Sequence, residues 1–326
     1  MKHPSGAPHK KILYFGSSRF SRIVLEMMCA HGRIPAHVIT RPARPRGRGL
    51  SSSATETHQV CLQRDIPVEA PETLTGSSLK TRLSRMHPEY LVLADYGGLL
   101  PDWLLKMPSR MPLGVHPSLL PKYRGAAPVH WALLRGERET GVTIFRVEPE
   151  LDAGGIISQR KISVDPEDTV HTLTEKLARA GGTLLSDTLT ALTEKKLKPK
   201  PQDESKATYA PKLKKSDGNI RWGAQSASQI INLIRATTGW PSAYTFYRGR
   251  QIKIIRARAV ARDHPAVPGT VLAADPQGIE VGAGAHILKV SVLQPEGKRP
   301  MDAGAFLSGY RIQPGDRFSS ERNGKN

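Results

Sequence analysis

A chain of 326 residues is too long for one small module and fits about two domains at roughly 150 residues each. Hydrophobic residues make up 38% and charged residues 24%, a balance that supports a buried core and excludes a disordered or fibrous chain. The formal charge of +19 is unevenly spread: residues 1–50 carry 10 basic and 1 acidic side chain, residues 51–204 carry 19 and 20, and residues 205–326 carry 19 and 8.

Basic ends around a near-neutral middle suit a polyanion gripped from both sides while chemistry proceeds between them, and nucleic acid is the leading candidate. A uniformly basic surface is the plainer alternative, but it leaves the neutral middle unexplained. The two cysteines, Cys29 and Cys61, stand at no Cys-x-x-Cys or zinc-ligand spacing, which argues against a disulfide scaffold or structural zinc and for a reducing cytosol. The stretch from Met1 to Lys11 is polar, and no apolar run approaches the roughly 20 residues of a membrane span. The expected location is therefore cytoplasmic, with no membrane partner.

Lys11–Phe15 is an apolar run closed by Gly16-Ser17-Ser18, and the helical pattern from Arg22 to Ala30 follows it as strand, turn, helix. His37–Thr40 is strand-like, and Tyr90–Ala94 is the continuous apolar type buried on both faces of a parallel sheet. Gly114–His116 and Gly141–Phe145 supply further strands. Alternating strands and helices predict an α/β, doubly wound, mostly parallel first domain, with its ligand crevice at the carboxyl ends of the strands. Helical spacing runs from Val164 to Leu192. The charged, proline-broken stretch after residue 193 then predicts a linker over 194–210. Beyond a helix at Ser226–Arg235, the short segments Tyr244–Tyr247, Ile252–Ile255, Gly269–Leu272, Ile279–Val281 and Ile287–Val292 predict a small β-barrel (OB-like) over 211–326.

His116 follows a short strand and precedes a proline-bracketed turn, Pro117 to Pro121, that can hold it at a crevice; imidazole suits general acid–base work. A lone histidine is more often structural. Asp152 lies in a glycine turn, where a carboxylate can orient an imidazole or simply bond its own backbone. Arg41, Arg44, Arg46 and Arg48 crowd a Pro/Gly-rich loop suited either to phosphates or to plain solvation. Neither Gly-x-Gly-x-x-Gly nor a Gly-Lys-Ser/Thr phosphate loop is present, so dinucleotide and ATP signatures fail.

Taken together, Val115–Pro128, Gly141–Thr143, Leu151–Gly154, Thr208–Lys212, Trp240-Pro241, Gln294–Lys298 and Phe306–Asp316 resemble the methionyl-tRNA formyltransferase family over nearly the whole chain. The resemblance implies a formyltransferase catalytic domain over 1–193, a linker over 194–210 and a tRNA-binding β-barrel over 211–326. The implied activity transfers a formyl group from 10-formyltetrahydrofolate, as co-substrate, to the amino group of initiator methionyl-tRNA, with no metal. His116 and Asp152 match the catalytic positions, Ser118, Leu119, Leu120 and Pro121 the folate-binding stretch, and Arg48 the loop that meets the tRNA acceptor end. One departure stands out: the family's active-site Asn, two residues before the histidine, is Gly114 here. Losing such an oxyanion donor typically costs about 10²–10³ in rate, so a backbone N–H, a water or a side chain such as Tyr96 is expected in its place. A sugar-nucleotide formyltransferase shares the first-half motifs, and a tRNA binder without catalysis is the non-enzymatic alternative.

Overall fold

A computed structural model describes residues 9–46 and 51–322, with side chains described for 12–43, 53–261 and 266–322. In chain order the elements are β1 (His9–Phe15), α1 (Arg19–Ala30), β2 (Pro35–Ile39), β3 (Arg44–Arg46), β4 (Ser51–Ser53), α2 (Glu56–Gln63), β5 (Val68–Glu69), α3 (Ser77–Ser84), β6 (Tyr90–Leu93), α4 (Asp102–Leu105), β7 (Met111–His116), α5 (Pro128–Leu134), β8 (Glu139–Arg146), β9 (Ile156–Ser163) and α6 (Val170–Thr193). They continue with α7 (Ala227–Ala236), β10 (Tyr244–Tyr247), β11 (Arg250–Ala266), β12 (Val271–Asp275), β13 (Gly278–Pro295), β14 (Met301–Asp302) and α8 (Ala303–Gly309).

The chain divides into two compact units. One comprises residues up to Pro128, Glu139–Val164 and Leu173–Ala210; the other comprises Val129–Arg138, Asp165–Thr172 and the chain from Pro211 onward. The first unit is built on a seven-stranded sheet in the order β5-β2-β1-β6-β7-β8-β9. β5, β2, β1, β6 and β7 run parallel, and β8 and β9 turn antiparallel. β1 and β6 are apolar because both sheet faces are covered: Leu13, Phe15 and Leu91 join one core with Leu83, Tyr96 and Leu104. The strand order reverses between β1 and β6, which puts the ligand crevice at their carboxyl ends. There Ser18 caps α1 by accepting from the Ser21 N–H at 3.2 Å.

The second unit carries the antiparallel order β10-β11-β13-β12, with β14 beside β13. The C-terminal segment bridges both edges, Ser319 pairing with Phe246 of β10 and Arg317 pairing with Thr270 beside β12, so the sheet has the closure expected of a small barrel. Two expectations need correction. The predicted strands Ile279–Val281 and Ile287–Val292 are parts of one strand, β13; glycines at 282 and 284 lower local strand propensity but leave the ladder to β11 unbroken in direction. The helix predicted from Val164 begins at Val170, because Pro166 disfavours helical geometry at Asp165 and a turn closed by Asp168 fills the gap.

Candidate active site

β7 lies inside the sheet, so its apolar residues Leu113 and Val115 are buried and His116, its last residue, arrives at the carboxyl end with little freedom. His116 is 6% exposed, and its imidazole meets the Phe145 ring edge-on at 6.4 Å and 86°. Its Nε2 lies 2.9 Å from the carbonyl oxygen of Tyr123. Its Nδ1 lies 3.5 Å from Oδ2 of Asp152, within ion-pair range and longer than an ordinary hydrogen bond. Both ring nitrogens thus face acceptors, and the single N–H of a neutral ring satisfies one of them.

Asp152 sits in the turn between β8 and β9 with φ of 51°, a left-handed conformation that aspartate tolerates better than most residues. The Gly125 N–H donates to its Oδ2 at 2.8 Å. Gly125 has φ of 116°, and a Cβ there would come within 2.9 Å of the Ala210 carbonyl oxygen, so only glycine brings this amide to the carboxylate. Gln202 Nε2 donates to the carbonyls of Asp152 and Gly154, each at 2.7 Å. The structure therefore brings together His116 and Asp152, 36 positions apart in the chain.

The segment Ser118–Pro121 is held by side chains that its own sequence does not announce. Thr143 Oγ1 donates to the Ser118 carbonyl at 2.6 Å and accepts from the Leu120 N–H at 3.1 Å. Gln159 Nε2 donates to the Leu120 carbonyl at 2.8 Å and to Thr143 Oγ1 at 2.9 Å. Ser118 is fully buried with its hydroxyl donating to the Lys122 carbonyl, and Leu120 is buried as well. Leu119 and Pro121 are half-buried and keep surface that a ligand can meet. Thr143 and Gln159 act through β8 and β9, and only the Gly141–Thr143 motif signalled the first of them.

Gly114 lies between β6 and β8, opposite Leu93 and Phe145. A Cβ at this position would fall 2.2 Å from Cε1 and 2.6 Å from Cζ of Phe145. The ring fills the space a side chain at 114 would take, so Gly114 and Phe145 are a packing pair. Tyr96 is buried beyond the end of β6, edge-on to Phe15 at 5.7 Å. Burial pushes its phenol above the ordinary value, against the nearby Arg41 charge. It therefore stays a neutral donor.

Arg41 donates its backbone N–H to Ser17 Oγ at 2.9 Å and its guanidinium to the Gly97 carbonyl, tying the end of β2 to the loops after β1 and β6. The expected tRNA-facing side chains of Arg44, Arg46 and Arg48 lie outside the described residues. Burial pushes the Cys61 thiol up to about 12 and the Cys29 thiol to about 11. Neither is a nucleophile near neutral pH. Among the described residues no group of three or more His, Cys, Asp or Glu side chains could hold a metal ion.

Residues 10–189 match the family described as formyl transferase, and residues 212–311 match the formyl transferase C-terminal domain. A methionyl-tRNA formyltransferase of Thermodesulfovibrio yellowstonii is 39% identical over 309 residues, covering 94% of this chain and 99% of the relative. One of Dictyoglomus turgidum is 40% identical, covering 95% and 99%. Among solved structures, the N-formyltransferase from Helicobacter canadensis in complex with folinic acid and dTDP-3-aminofucose is similar at a TM-score of 0.62 and 16% identity, covering 86% of this chain and 98% of that one. HypX from Aquifex aeolicus in complex with tetrahydrofolic acid is similar at 0.60 and 16%, covering 91% of this chain and 46% of that one. At such identities these structures speak for the fold alone.

Proposed function

The chain belongs to the methionyl-tRNA formyltransferase family, and we propose that His116 and Asp152, at the carboxyl end of β7, run its reaction. The activity is transfer of the formyl group of 10-formyltetrahydrofolate to the amino group of initiator methionyl-tRNA, giving N-formylmethionyl-tRNA for translation initiation. The observation that carries the assignment of residues is the pairing of the buried His116 with the half-buried Asp152.

In this reading the neutral amine of the methionyl group attacks the formyl carbon, and the carbonyl electrons move onto oxygen. Neutral His116, with its one N–H at Nδ1 toward Asp152, takes the ammonium proton at Nε2, which gives up the Tyr123 carbonyl for the substrate. Asp152 faces Nδ1 and balances the imidazolium charge. Collapse of the tetrahedral intermediate re-forms the carbonyl and breaks the bond to folate N10, which receives the proton from His116 as tetrahydrofolate leaves. The oxyanion donor that a side chain at Gly114 cannot supply is a backbone N–H, a water or a side chain such as Tyr96, which is buried beyond the end of β6. Leu119 and Pro121 face the folate, and the buried Ser118 and Leu120 hold their loop in shape.

Catalysis is assigned to residues 1–193, joined through 194–210 to a tRNA-gripping region over 211–326. The loop from Arg41 to Arg48 serves the acceptor end. On β11 the irregularity between Ile254 and Arg256 reverses the pleat. Ile252 and Ile254 point inward, whereas Arg256 and Arg258 are exposed, a pair of charges suited to phosphates. We place the reaction in the cytoplasm, where translation draws on charged tRNA; among the described residues no helix is long and apolar enough to cross a membrane.

The test supplies the protein with 10-formyltetrahydrofolate and either charged initiator tRNA or an amino-sugar nucleotide. Formylated methionyl-tRNA with no sugar product is expected. Sugar formylation, or tight tRNA binding without transfer, would overturn the proposal.

A further inference from the structure

Arg124 is 1% exposed, and a guanidinium buried to that degree must be paired. Its partners come from the segment whose composition reads as a linker. Nη1 and Nη2 donate to the two carboxylate oxygens of Glu204 at 2.9 and 2.6 Å, a bidentate fork. Nε and Nη2 both donate to Oε1 of Gln202, at 3.2 and 2.8 Å. Hydrogen bonding from Arg124 holds the Glu204 carboxyl below its ordinary value. The neighbouring backbone follows the same course: the Arg124 N–H donates to the Thr208 carbonyl at 2.8 Å and the Ala210 N–H to the Arg124 carbonyl at 2.7 Å.

This pairing decides which way the Gln202 amide faces. Arginine has donors and no acceptor, so the atom turned toward Arg124 is Oε1 and the atom turned toward Asp152 is the NH₂ nitrogen. That nitrogen has two N–H groups, and it meets two carbonyls, Asp152 O and Gly154 O. The turn carrying Asp152 is thus clamped twice, at its carboxylate by the Gly125 N–H and at its backbone by Gln202. Gly125 directly follows Arg124, so one buried cation sets both clamps. The Nδ1–Oδ2 separation is already 3.5 Å, and misplacement of a catalytic group by about 1 Å can cost 10²-fold.

We propose that Gln202 is a positioning residue for catalysis: oriented by Arg124, it holds the Asp152 turn in the conformation that faces the carboxylate to His116. The proposal rests on the reading of His116 and Asp152 given above, and it makes the stretch at 202–204 part of the catalytic machinery rather than a passive connection.

Gln202→Glu tests it, because the carboxylate keeps acceptors for Arg124 and loses both donors to the turn. Gln202→Met, of similar length and uncharged, guards against an effect of charge alone. Each is measured alone and combined with Asp152→Ala, following kcat, both KM values and Tm. For both Gln202 variants the expected result is a kcat lowered about 10- to 100-fold, KM within about threefold and Tm within a few degrees. In the Asp152→Ala background the expected further loss is less than about twofold, since the effect passes through Asp152. Full activity in both Gln202 variants, with Asp152→Ala strongly impaired, would overturn the positioning role alone. So would equal losses with and without Asp152, or losses wholly accounted for by unfolding. Normal activity of Asp152→Ala would instead remove the catalytic reading on which the proposal stands.

Discussion

The carboxyl end of β7 and the interior of the antiparallel sheet are both buried, but they are held in different ways. Around His116 the structure uses single hydrogen bonds between distant parts of the chain, with left-handed backbone at Tyr123 and Asp152. Inside the antiparallel sheet it uses aromatic mass: Trp222 stacks on Phe318 at 6.1 Å, and Phe306 stacks on Tyr310 at 4.4 Å with the rings 2° from parallel. A single hydrogen bond contributes about 1 kcal/mol to stability, whereas a buried aromatic ring contributes several. One region should therefore lose chemistry without losing its fold, and the other should lose fold before chemistry.

Phe306→Ala probes the second half of that statement. It removes a fully buried ring and should cost about 3–5 kcal/mol of stability, read from denaturant unfolding, while kcat at saturating tRNA stays within about threefold below the melting transition. A collapse of kcat in molecules that remain folded would erase the distinction. Tyr96→Phe probes the first half, deleting one hydroxyl donor. We expect kcat to fall about 10²–10³-fold with Tm nearly unchanged; an unchanged kcat would move the oxyanion donor to backbone or water.

A smaller effect sharpens the boundary between the two behaviours. Gly114→Asn forces a side chain against the Phe145 ring and should destabilise the protein by about 1–3 kcal/mol. In a Phe145→Ala background, itself destabilised by about 3–5 kcal/mol, the further cost of Gly114→Asn should shrink, because the ring the new side chain strikes is gone. Equal stability of the wild type and the single variant would show that the ring moves aside freely. The mildest change is replacement of Arg256 and Arg258 by Ala. Stability should shift by less than about 0.5 kcal/mol, and the slope of log affinity for tRNA against log salt should fall by about two units. A slope equal to the parent's would remove these side chains from the tRNA surface.

Much of the sheet was legible because buried parallel strands announce themselves as unbroken apolar runs: Tyr90–Ala94 is the predicted run and Tyr90–Leu93 the observed strand. His116 and Asp152 were legible as residues with chemistry, since the motifs around them are unusual. Their pairing came through the resemblance and not through a local pattern, because the two side chains meet only when β7 and the β8–β9 turn assemble. The packing of Phe145 against Gly114 was hidden for the same reason: the glycine reads as an omission until the cross-strand ring is seen. Gln202 and Glu204 were the least visible. Polar residues between prolines and lysines look like solvated connection, and their shared partner, a fully buried arginine nearly 80 positions earlier, is joined to them only in the folded chain.

The most direct test of the account is single-turnover formyl transfer to charged initiator tRNA by His116→Ala, with tRNA affinity measured on the same preparation. Assignment of the proton transfers to His116 predicts a rate lowered by at least about 10³-fold and a tRNA Kd within about threefold of the parent. A rate within threefold of the parent would contradict it and place the proton chemistry elsewhere.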